Sequence, residues 1–243
     1  MLIFPDWPAA AHVKAASTTR LGGVSQPPYQ GLNLGLHVGD EAELVGKNRT
    51  LLQQQLGLME QPAWLNQIHS TRVIELQSPL SSVSDADGSY TQVAGLGCVV
   101  MTADCLPLLL CDKEGTQVAA VHAGWRGLAD GIIEAALAKF TVPADSIMAW
   151  LGPAISPEVF EVGGEVREQF IAGSPQAEHA FKPHGDKWLA DLYILARQRL
   201  QAYGVTQIYG GQYCTFSDPE LFYSYRRDGV TGRQASLIWL VDH

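Results

Sequence analysis

The sequence predicts an α+β protein, a single domain with a mixed β-sheet, or two sheets, flanked by helices. Segments with the spacing of amphipathic helices are interspersed with β-branched and apolar runs, and the runs outnumber the helical segments. They follow no regular strand–helix–strand order, which argues against a purely parallel sheet. No repeat, charge block or Pro/Ser-rich linker divides the 243 residues, so we expect residues 1–243 to fold around one core.

Helix signals occur in four segments, at residues 40–57, 128–140, 165–171 and about 186–204. In the first segment the side chain of Asp40 is placed to cap the free N–H groups, and Glu43 completes a capping box. This helix ends at Gly57 and the last one at Gly204, because glycine suits the left-handed conformation that often follows a helix. The other two segments are predicted mainly from apolar residues at helical spacing.

Strand signals are runs of β-branched or apolar residues bounded by Gly, Pro or Asp, at residues 13–19, 64–76, 97–110, 117–123, 147–151, 207–210, 222–225 and 235–240. Pro107 cannot donate a hydrogen bond to a central ladder, so we expect the third run to be interrupted just after Cys105. The segment Asp85-Ala-Asp87-Gly88 resembles the start of a calcium loop, but Leu96 stands where that loop needs a glutamate. We therefore predict a turn there.

Composition and charge restrict the classes of function. Hydrophobic residues make up 47% of the chain and charged residues 17%, which excludes a disordered or coiled-coil protein. The 16 basic and 25 acidic residues give a net charge of −9, so nucleic-acid binding is not expected and an anionic substrate needs a local arginine cluster. The N-terminus shows no secretory signal, and the longest apolar run is too short for a bilayer. We expect a cytoplasmic monomer with no membrane partner.

The most informative segment is the strand that ends at His122 and continues through Gly124-Trp125-Arg126-Gly127 into a helix. Backbone N–H groups in such a turn, together with the helix dipole and one guanidinium, can bind an anion such as phosphate. The segment lacks the glycine patterns of a P-loop and of a dinucleotide-binding fold. The structural alternative is a tight strand-to-helix turn that leaves Arg126 in solvent.

Asp104 and Cys105 are polar residues inside an otherwise apolar run. A thiol at an interruption of the strand can face a cleft, whereas a buried carboxylate is costly and needs a partner. The alternative is that Cys105 is a small buried apolar residue and that Asp104 caps a turn. We assign that structural role to the other three cysteines, Cys98, Cys111 and Cys214. All four cysteines are expected to be thiols in a reducing compartment.

A second histidine, His69, lies near the end of another apolar run. A lone histidine is usually structural, but His69, Cys105 and His122 together make a Zn²⁺ ligand set that leaves a fourth position open for water or substrate. Their long spacings are not diagnostic, so only the fold can bring them together. The remaining histidines have no such companions and are expected on the surface or in loops: His12, His37, His179, His184 and His243.

Two loops present arginines beside glycines and aromatic residues. One contains Arg20, and the other contains Arg226, with Arg233 a few residues later. A guanidinium can bind phosphate or carboxylate through two parallel hydrogen bonds and can also stack on a base. Internal ion pairs with the excess of acidic residues are the alternative role.

Seven segments carry a family resemblance when they are taken in order: Ser17–Ser25, Leu32–Asp40, Trp64–His69, Thr102–Pro107, His122–Gly127, Leu151–Ile155 and Phe222–Asp228. The most specific are Thr102-Ala-Asp-Cys-Leu-Pro107 and His122-Ala-Gly-Trp-Arg-Gly127. Together they resemble the YfiH-like laccase-domain family, whose members are variously called multicopper polyphenol oxidase, purine nucleoside phosphorylase and peptidoglycan editing factor.

The resemblance implies layered mixed sheets similar to the deamidase domain of a cytotoxic necrotising toxin. It implies a metal site at His69, Cys105 and His122, holding Zn²⁺ or, in the same site, Cu²⁺. It also implies phosphorolysis of adenosine, inosine, guanosine and methylthioadenosine, deamination of adenosine, and copper-linked phenol oxidation. On this basis we assign catalysis to Cys105, His122 and Asp104, and substrate binding to Arg20, Asn33, Gln67, Arg126 and Arg226.

The residues favour some of these activities over others. Seven histidines without a His-x-His pair cannot build a multicopper cluster, so phenol oxidation could rest only on one copper in the His₂Cys site. One open zinc site accounts directly for deamination, because zinc activates water near neutral pH. Phosphorolysis also needs a phosphate cradle, expected at Arg126, and a group such as Asp104 that protonates or holds the base. The alternatives are a metal-free Cys105–His122 thiolate hydrolase of peptidoglycan precursors and a non-catalytic purine-binding module.

Overall fold

The computed structural model describes residues 1–242 and confirms the predicted α+β class of mixed sheets flanked by helices. The strands are β1 (Leu2–Ile3), β2 (Val13–Thr18), β3 (Val73–Leu76), β4 (Gly88–Thr91), β5 (Cys98–Thr102), β6 (Leu106–Asp112), β7 (Val118–Ala123), β8 (Ile147–Leu151), β9 (Glu161–Val162), β10 (Phe181–His184), β11 (Lys187–Ala190), β12 (Gln207–Gly210) and β13 (Gln234–Leu240). The helices are α1 (Ala42–Leu56), α2 (Trp125–Asp130), α3 (Ile132–Leu137), α4 (Gly164–Gly173), α5 (Leu192–Ala202) and α6 (Tyr225–Asp228).

The strands form three sheets. The largest has the order β12-β8-β6-β7-β4-β3, in which the outer pairs β12–β8 and β3–β4 are parallel and the inner pairs are antiparallel. A four-stranded antiparallel sheet has the order β1-β2-β13-β5, and a three-stranded antiparallel sheet has the order β10-β11-β9. The large sheet is therefore mixed, as the sequence predicts.

The large sheet is buried on both faces, and β6 shows this most clearly. Leu106, Leu108 and Leu110 belong to the apolar cluster formed with α2, α3, α4 and α5. Leu109 and Cys111, which alternate with them, belong to a second cluster that includes residues of β2, β5 and β13. Burial on both faces explains why β6 is an unbroken apolar run instead of an alternating one.

Two helix predictions need correction, one at its N-terminal cap and one in its interior. The first helix ends at Gly57, as predicted, with that residue at φ 65°. Its N-cap is Glu41, however, and no side-chain hydrogen bond caps it. The Asp40 carboxylate accepts hydrogen bonds from Glu41 N (2.8 Å), Ser25 Oγ (2.6 Å) and Asn33 Nδ2 (2.8 Å) and none from an N–H group inside the helix. The predicted stripe 128–140 is divided into α2 and α3 at Gly131, whose φ of 101° breaks the helix.

The last predicted helix begins too early. Residues Lys187–Ala190 form β11, which pairs with β10 across a turn at Gly185 (φ 59°). The helix starts only after Asp191, whose carboxylate accepts a hydrogen bond from Ile194 N at 2.9 Å. Both Asp186 and Asp191 precede apolar residues at helical spacing, so the sequence pattern alone did not distinguish the capping residue.

Two strand predictions are wrong in part. Of the run 64–76 only Val73–Leu76 is a strand, because residues 67–70 wrap around the buried carboxylate of Asp87. The run 222–225 leads into α6, which Ser224 caps by accepting a hydrogen bond from Arg227 N at 3.2 Å. In addition, β4 follows the predicted turn directly and pairs with β3 and β7, which the sequence did not predict.

The fold brings the chemically interesting segments to one end of the large sheet. The run 97–110 is interrupted, but earlier than predicted and not by Pro107: β5 ends at Thr102 and β6 starts at Leu106, directly after Cys105 and on a different sheet. Pro107 lies at the beginning of β6, where it pairs with His122 near the end of β7. The interruption and the strand end are therefore adjacent. No helix within residues 1–242 has both the length and the apolarity that a bilayer crossing requires.

Candidate functional site

Three side chains that are distant in the sequence meet at this end of the sheet. The ligand atoms of His69, Cys105 and His122 all lie within 4.8 Å of one another, and the two imidazole rings are 4.9 Å apart in an edge-to-face arrangement. His69 comes from the loop before β3, Cys105 from the interruption between β5 and β6, and His122 from β7. Within residues 1–242 this is the only cluster of at least three His, Cys, Asp or Glu residues that could hold a metal ion.

Asp87 holds two of these three residues in place. Its fully buried carboxylate accepts hydrogen bonds from His122 Nδ1 (2.8 Å), His69 N (3.0 Å) and Ser70 N (2.6 Å), and further ones from Ile68 N and Ser70 Oγ. The loop therefore curls around the carboxylate, and His69 adopts φ 60°. Because His122 donates through Nδ1, Nε2 is the nitrogen left for a metal, which would replace the proton on that atom. Burial opposes ionisation of Asp87, but the hydrogen bonds from His122 and Ser70 lower its pKa to about 2.

Cys105 and His122 stabilise each other's charged forms. Burial opposes the thiolate, but the charge of His122 and hydrogen bonds from both histidines lower the pKa of Cys105 to about 6. Burial likewise opposes the imidazolium, yet the Cys105 thiolate and the hydrogen bond to Asp87 raise the pKa of His122 to about 9. A thiolate at neutral pH is what both a metal ligand and a nucleophile require.

Gly124 leaves the space that these side chains occupy. A methyl group at this position would lie 3.0 Å from Cδ2 of His69 and 3.1 Å from Sγ of Cys105. Gly124 is also the N-cap of α2, so the backbone passes directly from His122 into this helix. The paired glycines predicted as a turn thus allow the backbone to approach the cluster closely.

Two clefts meet at the cluster and share His69, Ala103, Cys105 and Tyr225. The aromatic cleft, about 250 Å³, is lined in addition by Asp104, Trp125, Arg126, Ile155, Phe160, Leu192 and Arg226. The polar cleft, about 290 Å³, is lined in addition by His37, Gln67, Met101, Thr102, His122 and Arg233. The shared residues place the cluster at the junction of the two clefts.

Two of the predicted substrate-binding arginines line the aromatic cleft. Arg126 is exposed, and its guanidinium carbon lies 4.4 Å from the ring centroid of Trp125. Arg226 is also exposed, lies 5.4 Å from the ring centroid of Phe160 and donates to the carbonyl of Glu161 at 2.8 Å. The phosphate-binding role assigned to Arg126 stays a prediction.

Asp104 is placed beside the cluster, with both carboxylate oxygens engaged. Oδ1 accepts a hydrogen bond from Thr215 Oγ1 and Oδ2 accepts one from Arg226 N, each at 2.7 Å. The residue itself adopts φ 96° in the interruption between β5 and β6. Asp104 therefore fixes the start of α6, and with it Tyr225, against the aromatic cleft.

The other predicted substrate-binding residues differ in location. Gln67 lines the polar cleft, where its side-chain amide pairs with the backbone of Met101 in both directions, at 2.8 and 2.7 Å. Asn33 is fully buried outside both clefts, and its side chain binds Asp40 and the backbone N–H of Arg233. Arg20 lies at a separate surface pocket and donates to the carbonyl of Pro219. The structure therefore does not bring Arg20 or Asn33 to the cluster.

Sequence reasoning missed three residues of the site. Asp87 was interpreted only as part of a turn, and no spacing linked it to His122. Arg233 was noted in an arginine-bearing loop without a role. His37 was placed on the surface, where the structure has it exposed, but the polar cleft that both residues line was not predicted. Arg233 is followed directly by β13, so its position depends on strand pairings that its own segment does not reveal.

Comparison with known proteins agrees with this site. The curated relatives include proteins named purine nucleoside phosphorylase, from Escherichia coli strain K12 (53% identical, covering 99% of each chain) and from Pseudomonas aeruginosa (53%, covering 98% of each chain). Among solved structures, a protein of Neisseria meningitidis superposes with a TM-score of 0.96 at 53% identity, covering 99% of each chain. YlmD from Geobacillus stearothermophilus superposes with a TM-score of 0.90 at 30% identity, covering 97% of this chain and 94% of that one.

The family model described as multi-copper polyphenol oxidoreductase laccase matches residues 14–241, which include the three cluster residues and both clefts. The resemblance seen in the sequence motifs is therefore confirmed over nearly the whole chain. The chain belongs to the laccase-like family that this model defines.

Proposed function

We propose that this protein is a zinc-dependent purine nucleoside enzyme whose main reaction is phosphorolysis of nucleosides such as adenosine, inosine, guanosine and methylthioadenosine. The observation that carries the proposal is the His69–Cys105–His122 cluster at the junction of an aromatic and a polar cleft. Relatives at 53% identity are named purine nucleoside phosphorylase, which supports the same class of substrate.

The cluster fits a metal ion by its donor set. Two imidazole nitrogens and one thiolate sulfur are the ligands of an open catalytic zinc site, with a fourth position left free. The buried Asp87 behind His122 supplies the carboxylate–histidine arrangement that orients metal-binding imidazoles. When bound, the metal supplies Lewis acidity and an activated water. Copper could occupy the same ligands, but the single cluster within residues 1–242 does not provide for a multicopper centre.

The two clefts suggest how a nucleoside is held. The aromatic side chains of Trp125, Phe160 and Tyr225 suit the flat face of a purine, and Arg226 suits its polar edge. With the base there, the ribose C1′ comes close to Cys105, which both clefts share. Asp104 supports this arrangement by holding the segment of Tyr225 and Arg226. A direct proton transfer from Asp104 to the base stays a prediction.

Adenosine deamination is the second candidate activity, favoured by the open coordination position of a His₂Cys ligand set. It needs a water near the purine ring and no phosphate. A third activity, hydrolysis of an amide or ester by a metal-free Cys105 thiolate, is favoured by the low pKa of that thiol beside His122. The three activities differ in the conditions that they require. Only phosphorolysis requires phosphate, and only hydrolysis by the thiolate requires that no metal is bound.

The test is base release from inosine, followed with and without phosphate. Wild-type protein is expected to release hypoxanthine only when phosphate is present and to form ribose 1-phosphate in equal amount. His69→Ala should lower the rate strongly, because it removes a ligand but leaves the Cys105–His122 pair. Wild-type rates in His69→Ala would favour the thiolate mechanism, and base release that ignores phosphate would contradict phosphorolysis.

A further inference from the structure

The polar cleft contains an arginine, Arg233, that hydrogen bonds and packing hold in place beside the cluster. The backbone N–H of Arg233 donates to Asn33 Oδ1 at 2.9 Å, and its Nη1 donates to the carbonyls of Thr231 and Gly232 at 3.1 and 3.0 Å. Its stem packs so closely on Gly35 that a methyl group there would lie 2.8 Å from the Arg233 Cγ. The guanidinium is therefore held in one orientation before any ligand arrives.

This cation has no carboxylate partner within residues 1–242. The ion pairs of that part of the chain use other arginines, and the remaining donors of Arg233, Nε and Nη2, have no hydrogen-bond partner there. Burial lowers the pKa of Arg233, and the charges of Cys105 and Asp104 oppose this shift without forming a contact ion pair with the guanidinium. A partly buried cation that contacts no anion is costly. An anion at this place would satisfy both the charge and the free donors.

In phosphorolysis an anion, phosphate, displaces the base from the ribose C1′. A nucleophile that displaces the base from a sugar carbon approaches from the side opposite the leaving group. If the base occupies the aromatic cleft, the polar cleft, which meets it at the cluster, is the space left for the nucleophile. Arg126 and Arg226 line the aromatic cleft, whereas Arg233 and His37 line the polar cleft.

We propose that the phosphate co-substrate binds in the polar cleft, held by the free edge of Arg233 and by the imidazole of His37. The proposal rests on the proposed function for the identity of the anion. A phosphate oxygen forms a bond to C1′ while the C1′–N9 bond breaks, and its electron pair leaves with the purine. The proton of HPO₄²⁻ ends on a purine nitrogen, so ribose 1-phosphate and free base are the only products.

The environment of His37 agrees with this role. Burial and the charges of Arg233 and Arg49 lower the pKa of His37, so its ring is neutral at physiological pH and can donate one hydrogen bond. A neutral donor beside a fixed guanidinium binds phosphate without adding a second unpaired charge to the cleft.

The test compares Arg233→Gln and Arg233→Lys with wild type and with Arg167→Gln, a matched change at an arginine that stacks on Trp188 outside both clefts. Calorimetry measures binding of inorganic phosphate, alone and with inosine, and initial rates give the KM for phosphate and for inosine. Arg233→Gln should raise the phosphate KM and Kd by about 10- to 100-fold and leave the inosine KM within about twofold. Arg233→Lys should restore part of the loss, because it keeps the charge without the fork.

The outcomes separate this proposal from the proposed function. Phosphate binding that depends on Arg233, in a protein that releases no base, would keep the anion site and reject phosphorolysis. Phosphorolysis with an unchanged phosphate KM in Arg233→Gln would reject the anion site and keep the function. A raised phosphate KM in Arg126→Gln alone would move the phosphate to the α2 turn. No phosphate binding to wild type, with or without inosine, would also overturn the proposal.

Discussion

Replacing Asp87 with asparagine tests whether this buried carboxylate controls the cluster. One orientation of the amide places NH₂ at the Oδ2 position, where it opposes Ile68 N, Ser70 N and Ser70 Oγ. The other places NH₂ at the Oδ1 position, where it opposes only His69 N and His122 Nδ1. The second orientation leaves fewer buried donors without an acceptor, so we expect it.

The consequence is a change in the tautomer of His122. With an NH₂ group facing it, Nδ1 must accept, and the proton moves to Nε2, the atom that would bind the metal. We expect zinc affinity to fall by about 10- to 100-fold. The free energy of unfolding should fall by about 3 kcal/mol, because the buried pair is broken and His69 N loses its acceptor.

The assay is zinc competition against a chromophoric chelator, with denaturant unfolding of the metal-free protein. Asp85→Asn is the matched control, since Asp85 is exposed and accepts one hydrogen bond from Asn66. It should change stability by less than about 0.5 kcal/mol and leave zinc affinity as in wild type. Wild-type zinc affinity and stability in Asp87→Asn would refute the role given to this carboxylate.

Three further predictions concern the cluster. Gly124→Ala should lower zinc affinity by at least about tenfold, because the new methyl group contacts His69 and Cys105. The control Gly46→Ala, in open space on α1, should stabilise the protein by about 0.4–1 kcal/mol and leave zinc affinity unchanged. Equal zinc affinities of the two variants in a chelator competition would contradict this prediction. In metal-free protein, alkylation of Cys105 by iodoacetamide should rise with pH around a midpoint of about 6 and be blocked by zinc, and a midpoint at the ordinary thiol value of about 9 would exclude the Cys105–His122 ion pair. Phenol oxidation should require added copper at no more than one ion per chain, and several coppers bound per chain would contradict a single site.

The fold class and most strands could be predicted from the sequence because local patterns determine them. The runs that became β2, β7, β8 and β13 are bounded by turn residues and buried along most of their length, and the run that became β12 is half-buried. The errors arose where a long-range contact decided the local structure. The run 64–76 was predicted as one strand, but hydrogen bonds from residues 68–70 to the buried carboxylate of Asp87 hold that part in a loop.

The candidate site was predictable only in its residue types. His69, Cys105 and His122 were recognised as a ligand set, yet their convergence depends on the crossing between β5 and β6, which no spacing shows. Arg20 and Asn33, which were predicted to bind substrate, lie away from the cluster, and that role stays a prediction. Both occur in motifs of the family resemblance, but Asn33 positions Arg233 through its backbone, and Arg20 lies at another pocket.

The most direct test of the account is the metal content of the purified protein, measured together with inosine phosphorolysis during removal and return of zinc. We predict about one zinc per chain, loss of activity in proportion to the zinc removed, and recovery on addition of one equivalent. Cys105→Ala should bind zinc far more weakly and should not recover. A metal-free protein that retains full phosphorolysis, with Cys105 open to alkylation, would contradict the metal site and make this thiol a nucleophile.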